Sequence, residues 1–362
     1  MTKDGNITPF DEARLAEWLE SLPGATRGPV RLERLGAGQS NLTYLARDAE
    51  GHVVVVRRPP LGALASSAHD VAREGRIMSA LADTDVPVPA ILGVRSEPDV
   101  AEVPVVAMEL VDGTAVTSPA IAEEMPVEAR RAVGEGLIDA MAAIHAVDLA
   151  EVGLDGLASH EPYAPRQLRR WSGQWDKTKT RESAALDDLT RRLWDGVPEQ
   201  DATVLVHGDL HLGNVMCDPG TGEVKAVVDW ELATLGDPLA DVGTLLAYWP
   251  ERDGLVLPGF SAALEEGFPT GPELADRYLA ATGRDRAALE YWRVLGLWKV
   301  AIIAEGVVRR VRDKEMYQVS YQTEEETRYR TETRTIINEN GQEETIQVQV
   351  PYVHKKLIVN LK

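Results

Sequence analysis

Two short stretches decide the fold of this chain: HGDLHLGN at residues 207–214 and VVDWE at residues 227–231. They adjoin short β-branched runs at residues 204–206 and 226–228, and each run predicts a β-strand. Because two strands joined by a turn end at one edge, the polar residues that follow them are expected to lie together. An aspartate after a strand is by itself usually a turn residue or a helix cap, so the joint pattern carries the information.

The spacing His-x-Asp-x₄-Asn, with a later strand that ends in Asp, suits phosphoryl transfer. That reaction needs a carboxylate to accept the proton of the attacking hydroxyl, oxygen ligands for Mg²⁺, and positive charge on the phosphates. Asp209 suits the base, whereas Asn214 and Asp229 offer neutral and anionic oxygen ligands to the metal. His207 is expected to hold the loop through backbone hydrogen bonds. For His211 two positions remain open, the loop surface and a position that faces the phosphates or the substrate.

Up to residue 110 the pattern predicts a small sheet with one helix inserted into it and another in front. A cap, a proline and an acid at Thr8, Pro9 and Asp11 predict the start of the first helix. A Gly-rich turn, LGAGQSN at residues 35–41, separates the first two strands. The predicted strands cover residues 30–32, 42–46, 53–56, 90–94 and 103–110, and the inserted helix covers about residues 68–81.

After Asp112-Gly113 the pattern becomes helical. Apolar residues at helical spacing predict helices at residues 127–146, 167–175, 183–193, 241–248, 272–282 and 286–312. The change of pattern predicts two lobes, residues 1–110 and residues 111–313.

The composition changes abruptly near Lys314, after which no alanine occurs. Polar and β-forming residues alternate in this tail, Asn340-Gly341 favours a hairpin turn, and a third strand is predicted at residues 356–361. Since such a small sheet needs a packing partner, residues 314–362 are interpreted as a β-meander of different origin: a fusion, an added extension or an assembly element for self-association. Pairing about the turn predicts one shared face: Tyr329, Thr331, Thr333, Thr335, Ile337, Ile346, Val348, Val350 and Tyr352.

The formal net charge of −20 argues against a general nucleic-acid binder and against electrostatic docking on anionic lipid, because both need a basic surface. A solvated acidic surface is favoured over a cleft that recruits cations. The single cysteine, Cys217, and a polar N-terminus predict a cytoplasmic location. The apolar stretch at residues 294–304 contains Lys299 and is too short to span a bilayer, so it predicts a buried helix.

These motifs resemble the aminoglycoside phosphotransferase and choline kinase-like superfamily, and most closely the subgroup whose domain is joined to acyl-CoA dehydrogenases in some proteins. The resemblance covers residues 8–313 approximately and not the tail. It implies an α+β, protein-kinase-like fold with a small antiparallel-sheet lobe and a mainly helical lobe. The stretches that carry it, besides those quoted first, are LGAGQSN at 35–41, VRRPP at 56–60, RE at 73–74, ME at 108–109, QLRRW at 167–171 and DWELATLGDP at 229–238.

The resemblance also implies Asp209 as catalytic base and Asn214 with Asp229 as Mg²⁺ ligands. Arg57 stands where most kinases of this fold have a lysine, and Glu74 stands where its partner occurs; a surface ion pair is the alternative. A Gly-rich turn alone is common, and residues 108–110 alone would be an ordinary core strand. The ATP-binding residues implied are Gly36, Gly38, Ser40, Asn41, Arg57, Glu74, Met108, Glu109 and Leu110.

Two further groups are interpreted from position. Asp237 and Asp241 are expected to cap a helix and brace the catalytic loop. A basic, aromatic cluster is by default a set of solvated helix residues; the alternative is a pocket for an anionic substrate such as an acyl-CoA or a carboxylic acid. Its members are Arg166, Arg169, Arg170, Trp171 and Trp175.

The function expected is therefore ATP- and Mg²⁺-dependent transfer of a phosphoryl group to a hydroxyl of a small molecule. The resemblance favours a hydroxyacyl compound over an aminoglycoside, which is polycationic and would prefer an acceptor site lined by carboxylates. A non-catalytic nucleotide-binding or assembly module that works through the tail is the alternative of a different class. An intact set of Asp209, Asn214 and Asp229 argues against that alternative.

Overall fold

The computed structural model describes residues 10–35, 41–60, 70–251, 254 and 256–313, and the backbone of residues 319–337 and 343–361. The predicted phosphate-binding residues Gly36, Gly38 and Ser40 lie outside these ranges, as does the predicted Asn340-Gly341 turn. The chain divides into two compact units: residues 1–174 with 183–302, and residues 175–182 with 303–362. No helix of the described residues is both long and apolar enough to cross a membrane.

The first unit contains a five-stranded antiparallel sheet in the order β1-β2-β3-β5-β4. Helix α1 packs against it because Leu15, Trp18 and Leu19 recur on one helical face and are buried with residues of β3 and β5. Its N-cap is Asp11, which accepts a hydrogen bond from the Arg14 N–H. The bounds are α1 (Glu12–Glu20), β1 (Arg31–Leu35), β2 (Leu42–Arg47), β3 (Val53–Arg58), α2 (Val71–Leu81), β4 (Ile91–Arg95) and β5 (Val105–Glu109).

Helix α2 begins at Val71, three residues later than the sequence predicts, because the Asp70 carboxylate caps it by accepting from the Arg73 N–H. Gly75 lies where this helix meets the sheet. A Cβ there would approach Val94 Cγ2 to 2.9 Å and Val106 Cγ2 to 3.1 Å. Only glycine therefore allows α2 to pack this closely on the sheet.

The rest of the first unit is mainly helical, with two small sheets in the orders β10-β7 and β6-β8-β9. The sequence pattern missed α3, β6, β8 and β10, which are short. The predicted helix at 167–175 is longer at both ends. The bounds are β6 (Thr114–Ala115), α3 (Pro119–Glu124), α4 (Val127–Ala146), α5 (Tyr163–Thr178), α6 (Ala184–Asp195), β7 (Val204–Val206), β8 (Val215–Cys217), β9 (Val224–Val227), β10 (Thr234–Gly236), α7 (Pro238–Tyr248), α8 (Gly271–Thr282) and α9 (Arg286–Asp313).

The second unit contains the last residues of α5 and α9 and two long antiparallel strands, β11 (Val319–Ile337) and β12 (Glu343–Leu361). The predicted third strand at residues 356–361 is wrong, since those residues continue β12. The register pairs Arg330 with Val350. It differs by one residue from that of a two-residue turn at Asn340-Gly341, so the predicted division of residues between the two faces is wrong as well.

Candidate active site

The loop after β7 is held by a buried carboxylate. The Asp241 oxygens accept hydrogen bonds from the backbone N–H of His207 at 2.7 Å and of Gly208 at 2.9 Å. The Nε2 of His145 lies 3.3 Å from the same carboxylate. Burial favours the neutral form of Asp241, but His145 and the Gly208 N–H outweigh it and lower its pKa. Asp237 caps helix α7 by accepting from the Leu239 N–H at 2.9 Å. Both residues therefore occupy the bracing positions that the pattern predicts.

His207 lies wholly buried inside this loop. Its ring contacts the Trp230 ring at 4.8 Å, and its Nε2 lies 3.1 Å from the Val228 carbonyl. Burial lowers the pKa of His207, which favours a neutral imidazole. A neutral ring that bonds to backbone supports the loop and does not carry protons.

Gly208 is required between His207 and Asp209. Its φ of 85° lies in the left-handed region, and a Cβ there would stand 2.7 Å from the Leu232 carbonyl oxygen. The loop that presents Asp209 therefore touches the turn that follows Asp229.

Asn214 connects the loop of Asp209 to the strand that leads to Asp229. The side-chain Nδ2 of Asn214 donates to the backbone carbonyl of Asp209 at 2.8 Å. The backbone carbonyl of Asn214 accepts from the Val228 N–H at 3.0 Å. Since the amide nitrogen is engaged, the amide oxygen is the atom left for a metal.

Asp229 adopts a left-handed conformation with φ 67° and ψ 58°. It is the one residue other than glycine with a positive φ among the described ranges, and such strain persists only where the surroundings impose it. The next residue, Trp230, is fully buried and its Nε1 donates to the Val227 carbonyl at 3.0 Å, which holds the chain on both sides of Asp229. The sequence pattern assigned no role to Trp230, although a tryptophan beside the predicted metal-binding aspartate was a visible signal.

Arg57 of β3 reaches this aspartate. Its Nη2 donates to Asp229 Oδ1 at 2.6 Å, and its Nε lies 3.1 Å from Glu74 Oε2. Asn41 Nδ2 donates to Glu74 Oε1 at 2.7 Å and to Glu231 Oε2 at 3.2 Å. The side chain of Glu74 is only 2% exposed and that of Arg57 17%, so the alternative of a solvated surface pair is wrong.

Three carboxylates crowd this site. Glu74, Asp229 and Glu231 each offer an oxygen, and the three oxygens lie within 4.8 Å of one another. Burial raises the pKa of Glu74 to about 7, although Arg57 opposes the shift. Burial and then the charge of Asp229 raise the pKa of Glu231 to about 7. The cluster carries more negative charge than Arg57 balances, and its hard oxygen donors suit Mg²⁺. Glu231 was not predicted as a site residue.

His211 lies beside Asp209. That it faces the phosphates or the substrate stays a prediction. Its Nδ1 accepts from the Gly213 N–H at 3.0 Å, which assigns the ring proton to Nε2. That Nε2 lies 3.7 Å from Asp209 Oδ2. The rings of Phe260 and Tyr248 flank the imidazole at 5.0 and 6.2 Å between centroids.

The predicted adenine-binding segment ends β5. Glu109 is bonded to Ala90 twice: its N–H donates to the Ala90 carbonyl at 2.9 Å, and its carboxylate accepts from the Ala90 N–H at 3.0 Å. Met108 is buried, whereas Leu110 is 45% exposed where the chain leaves the sheet.

The predicted basic cluster is divided. Arg166 donates to the Leu235 carbonyl, and Arg170 lies over the Trp171 ring. These three residues line a cleft beside Gly208. Arg169 does not line it; its exposed guanidinium pairs with Glu161 at 3.1 Å. Lys299 of α9, which the sequence pattern assigned to a buried helix, is also in the cleft wall.

The sequence profile of the phosphotransferase enzyme family, APH, matches residues 31–292. The chain belongs to this family. Acyl-CoA dehydrogenase family member 10 of Mus musculus is 35% identical to it over 303 residues, which are 82% of this chain and 28% of that protein. Family member 11 of Rattus norvegicus is 31% identical over 305 residues, 83% of this chain and 39% of that protein. The chain thus spans between 28% and 39% of the length of these two relatives.

Solved structures of this phosphotransferase family confirm the fold. A Ralstonia eutropha protein provisionally described as an aminoglycoside phosphotransferase superimposes with a TM-score of 0.71 at 30% identity, over 84% of this chain and 91% of that one. Macrolide 2'-phosphotransferase MphH of Brachybacterium faecium superimposes with a TM-score of 0.55 at 18% identity, over 83% and 95%. The predicted α+β, protein-kinase-like fold and the predicted family are therefore both confirmed.

Proposed function

We propose that this phosphotransferase transfers the γ-phosphoryl group of ATP to a hydroxyl of a small molecule in a Mg²⁺-dependent reaction. One observation carries the proposal. Asn214 bonds to the backbone of Asp209 and of the strand that leads to Asp229, whose carboxylate meets the guanidinium of Arg57. A base, two oxygen ligands and a cation are the parts that phosphoryl transfer requires.

In this mechanism the acceptor hydroxyl approaches Asp209, whose carboxylate accepts the hydroxyl proton. The hydroxyl oxygen forms a bond to the γ-phosphorus as the bond from that phosphorus to the β,γ-bridging oxygen breaks. The products are the phosphate ester and ADP. His211 Nε2 lies 3.7 Å from Asp209 Oδ2 and would help to orient this carboxylate.

Asn214 and Asp229 would hold a magnesium ion through the amide oxygen and the carboxylate. When bound, the ion neutralises charge on the transferred phosphate and its leaving group. Arg57 would exchange its contact with Asp229 for a contact with the phosphate oxygens, while the Nε of Arg57 stays beside Glu74. A guanidinium can do this because its donors lie on different edges of one plane.

The acceptor we propose is a hydroxyacyl compound. Two relatives of this chain carry the name acyl-CoA dehydrogenase family member, which associates the domain with acyl substrates. Aminoglycoside 3'-phosphotransferase of Streptomyces fradiae, 27% identical over 196 residues, represents the competing acceptor class. The cytoplasmic location predicted above stays a prediction.

The experiment is an acceptor screen. Mg²⁺-dependent ATP and GTP turnover is measured with hydroxy acids, hydroxyacyl-CoA thioesters and aminoglycosides, and the phosphorylated product is identified by mass spectrometry. Turnover with a hydroxyacyl compound that Asp209→Asn abolishes supports the proposal. If no acceptor stimulates turnover and Asp209→Asn behaves as the wild type throughout, the proposal is wrong.

A further inference from the structure

A cleft of about 620 Å³ lies beside the catalytic loop. Its wall combines α5, Lys299 of α9, residues 231–234 and the start of α2. Gly208, the neighbour of Asp209, is part of the same wall. The cleft therefore opens next to the position where an acceptor hydroxyl would react.

Cations outnumber acids in this wall. Four side chains are basic, Arg73, Arg166, Arg170 and Lys299, and two are acidic, Asp70 and Glu231. A net positive cleft stands out in a chain whose formal net charge is −20.

Two of the cations are engaged by backbone and two are not. Arg73 donates to the Ala233 carbonyl at 2.6 Å and Arg166 to the Leu235 carbonyl at 2.5 Å. The Arg170 Cζ and the Lys299 Nζ each lie 5.8 Å from the centroid of the Trp171 ring. Neither forms an ion pair within 4.0 Å with a carboxylate of the described residues.

The positive charges of Arg170 and Lys299 repel each other. Burial lowers the pKa of Lys299, and the charge of Arg170 lowers it further, while Asp241 and Asp209 act in the other direction. An anion bound between the ammonium and the guanidinium would remove this repulsion and gain charge-assisted hydrogen bonds. The Trp171 ring, held by a bond from its Nε1 to Gln167 Oε1 at 3.1 Å, offers an apolar surface for the adjoining carbon chain.

We propose that this cleft binds an anionic group of the acceptor, a carboxylate or a phosphate, through Arg170 and Lys299. That the bound anion is part of the phosphoryl acceptor rests on the function proposed above, whereas the binding of an anion in this cleft does not. The two residues would determine specificity: they select an acid-bearing alcohol and reject a polycation.

The test uses four six-carbon alcohols that differ only at the far end: 6-hydroxyhexanoate, 6-hydroxyhexyl phosphate, 1,6-hexanediol and 6-aminohexan-1-ol. Phosphoryl transfer to each is measured with the full-length wild type and with Arg170→Gln and Lys299→Met. For the two anionic alcohols we expect KM to rise about tenfold to a hundredfold in either variant, the loss typical of a bond to a charged group. The KM for the diol should not change. Whichever anion has the lower KM in the wild type identifies the group as carboxylate or phosphate.

Arg169→Gln is the matched control, because it removes the same charge from the adjacent residue of α5 outside the cleft. Calorimetric titration of 6-hydroxyhexanoate into the protein with a non-hydrolysable ATP analogue reports binding without turnover. If no alcohol is phosphorylated, the proposed function fails, but this titration still decides the anion site. Equal binding of 6-aminohexan-1-ol and 6-hydroxyhexanoate, or an equal effect of Arg169→Gln and Arg170→Gln, would overturn the anion site.

Discussion

Arg57 and Asp229 lie 2.6 Å apart across 172 residues of sequence. The contact joins the central strand of the five-stranded sheet to the end of β9. Through Nε the same guanidinium contacts Glu74, so one side chain links the sheet, helix α2 and the aspartate that is predicted to bind the metal. An ammonium has its three donors on one nitrogen, whereas a guanidinium has donors on separate nitrogens, so Arg57 reaches Glu74 and Asp229 from different edges of one plane.

The first prediction concerns this bridge. Arg57→Lys should raise the KM for ATP several-fold, and Arg57→Met should raise it by about tenfold or more, because a phosphate loses a charge-assisted partner. Arg57→Met also leaves the buried Glu74 without its cation. In the double variant Arg57→Met/Glu74→Gln the loss of unfolding free energy should be smaller than the sum of the two single losses. Chemical denaturation of the four proteins measures this coupling, and additive losses would contradict it.

Asp209 is predicted to act in the chemical step and not in nucleotide binding. Asp209→Asn should lower kcat by about a hundredfold to ten-thousandfold, the range for a lost general base. The Kd for the ATP analogue and the Tm should stay close to those of the wild type. Asp187→Asn removes an exposed aspartate of α6 and serves as the control. A Tm that falls together with kcat would mean that Asp209 is structural.

The two ring nitrogens of His211 can be tested separately. Asparagine reproduces the acceptor at Nδ1, which bonds to the Gly213 N–H, and glutamine reproduces the donor at Nε2, which faces Asp209. We expect His211→Asn to lower kcat with little change in stability. His211→Gln should keep more activity and lower the unfolding free energy by about 1 kcal/mol, the value of one hydrogen bond. Measurements of kcat and of urea denaturation for both variants test this prediction. If both variants change kcat and stability equally, the two nitrogens do not have separate roles.

Asp241 should make the stability of the protein depend on acid pH. Its folded pKa is lower than the ordinary 3.8, so the stabilisation is present above pH 3.8 and disappears as the pH falls through the folded value. Asp241→Asn supplies one acceptor where the backbone N–H groups of His207 and Gly208 need two. The variant should lose about 1–3 kcal/mol at pH 7.

The difference between wild type and Asp241→Asn should narrow as the pH is lowered towards the acid range. Urea denaturation at neutral and acid pH measures it, with Asp187→Asn as the control for general charge removal. A difference that stays constant with pH would show that the Asp241 charge does not stabilise the loop.

The tail is predicted to be separate from the chemistry. All the nucleotide and metal residues named above precede residue 300, and composition changes near Lys314. Deletion of residues 314–362 should therefore leave the Kd for the ATP analogue unchanged. If the tail mediates self-association, analytical ultracentrifugation should find a larger species for the full chain than for the truncated one. Failure of the truncated chain to fold would show that the predicted boundary is wrong.

Local patterns predicted much of the fold. Strands β2 and β3 and helices α4, α8 and α9 follow the apolar periodicity within one or two residues. Errors occurred at ends and in short elements. Asp11 and Asp70 proved to be N-caps where the pattern had placed helix residues, because capping depends on which N–H groups are left unpaired. Gly75, which weakens an isolated helix, is needed for a contact that no local pattern contains.

By itself the sequence indicated a phosphotransferase, because the motif of Asp209, Asn214 and Asp229 depends on local spacing. The expected pairing of the two strands before Asp209 and Asp229 is wrong, since β7 pairs with β10 and β9 pairs with β8. The tertiary structure alone decided which groups surround those residues. It brought Arg57 and Glu231 to Asp229, the Trp230 anchor beneath it, and Lys299 to the cleft beside Arg170. Such contacts join segments far apart in the chain, and their energies arise from burial and charge that exist only once the core has formed.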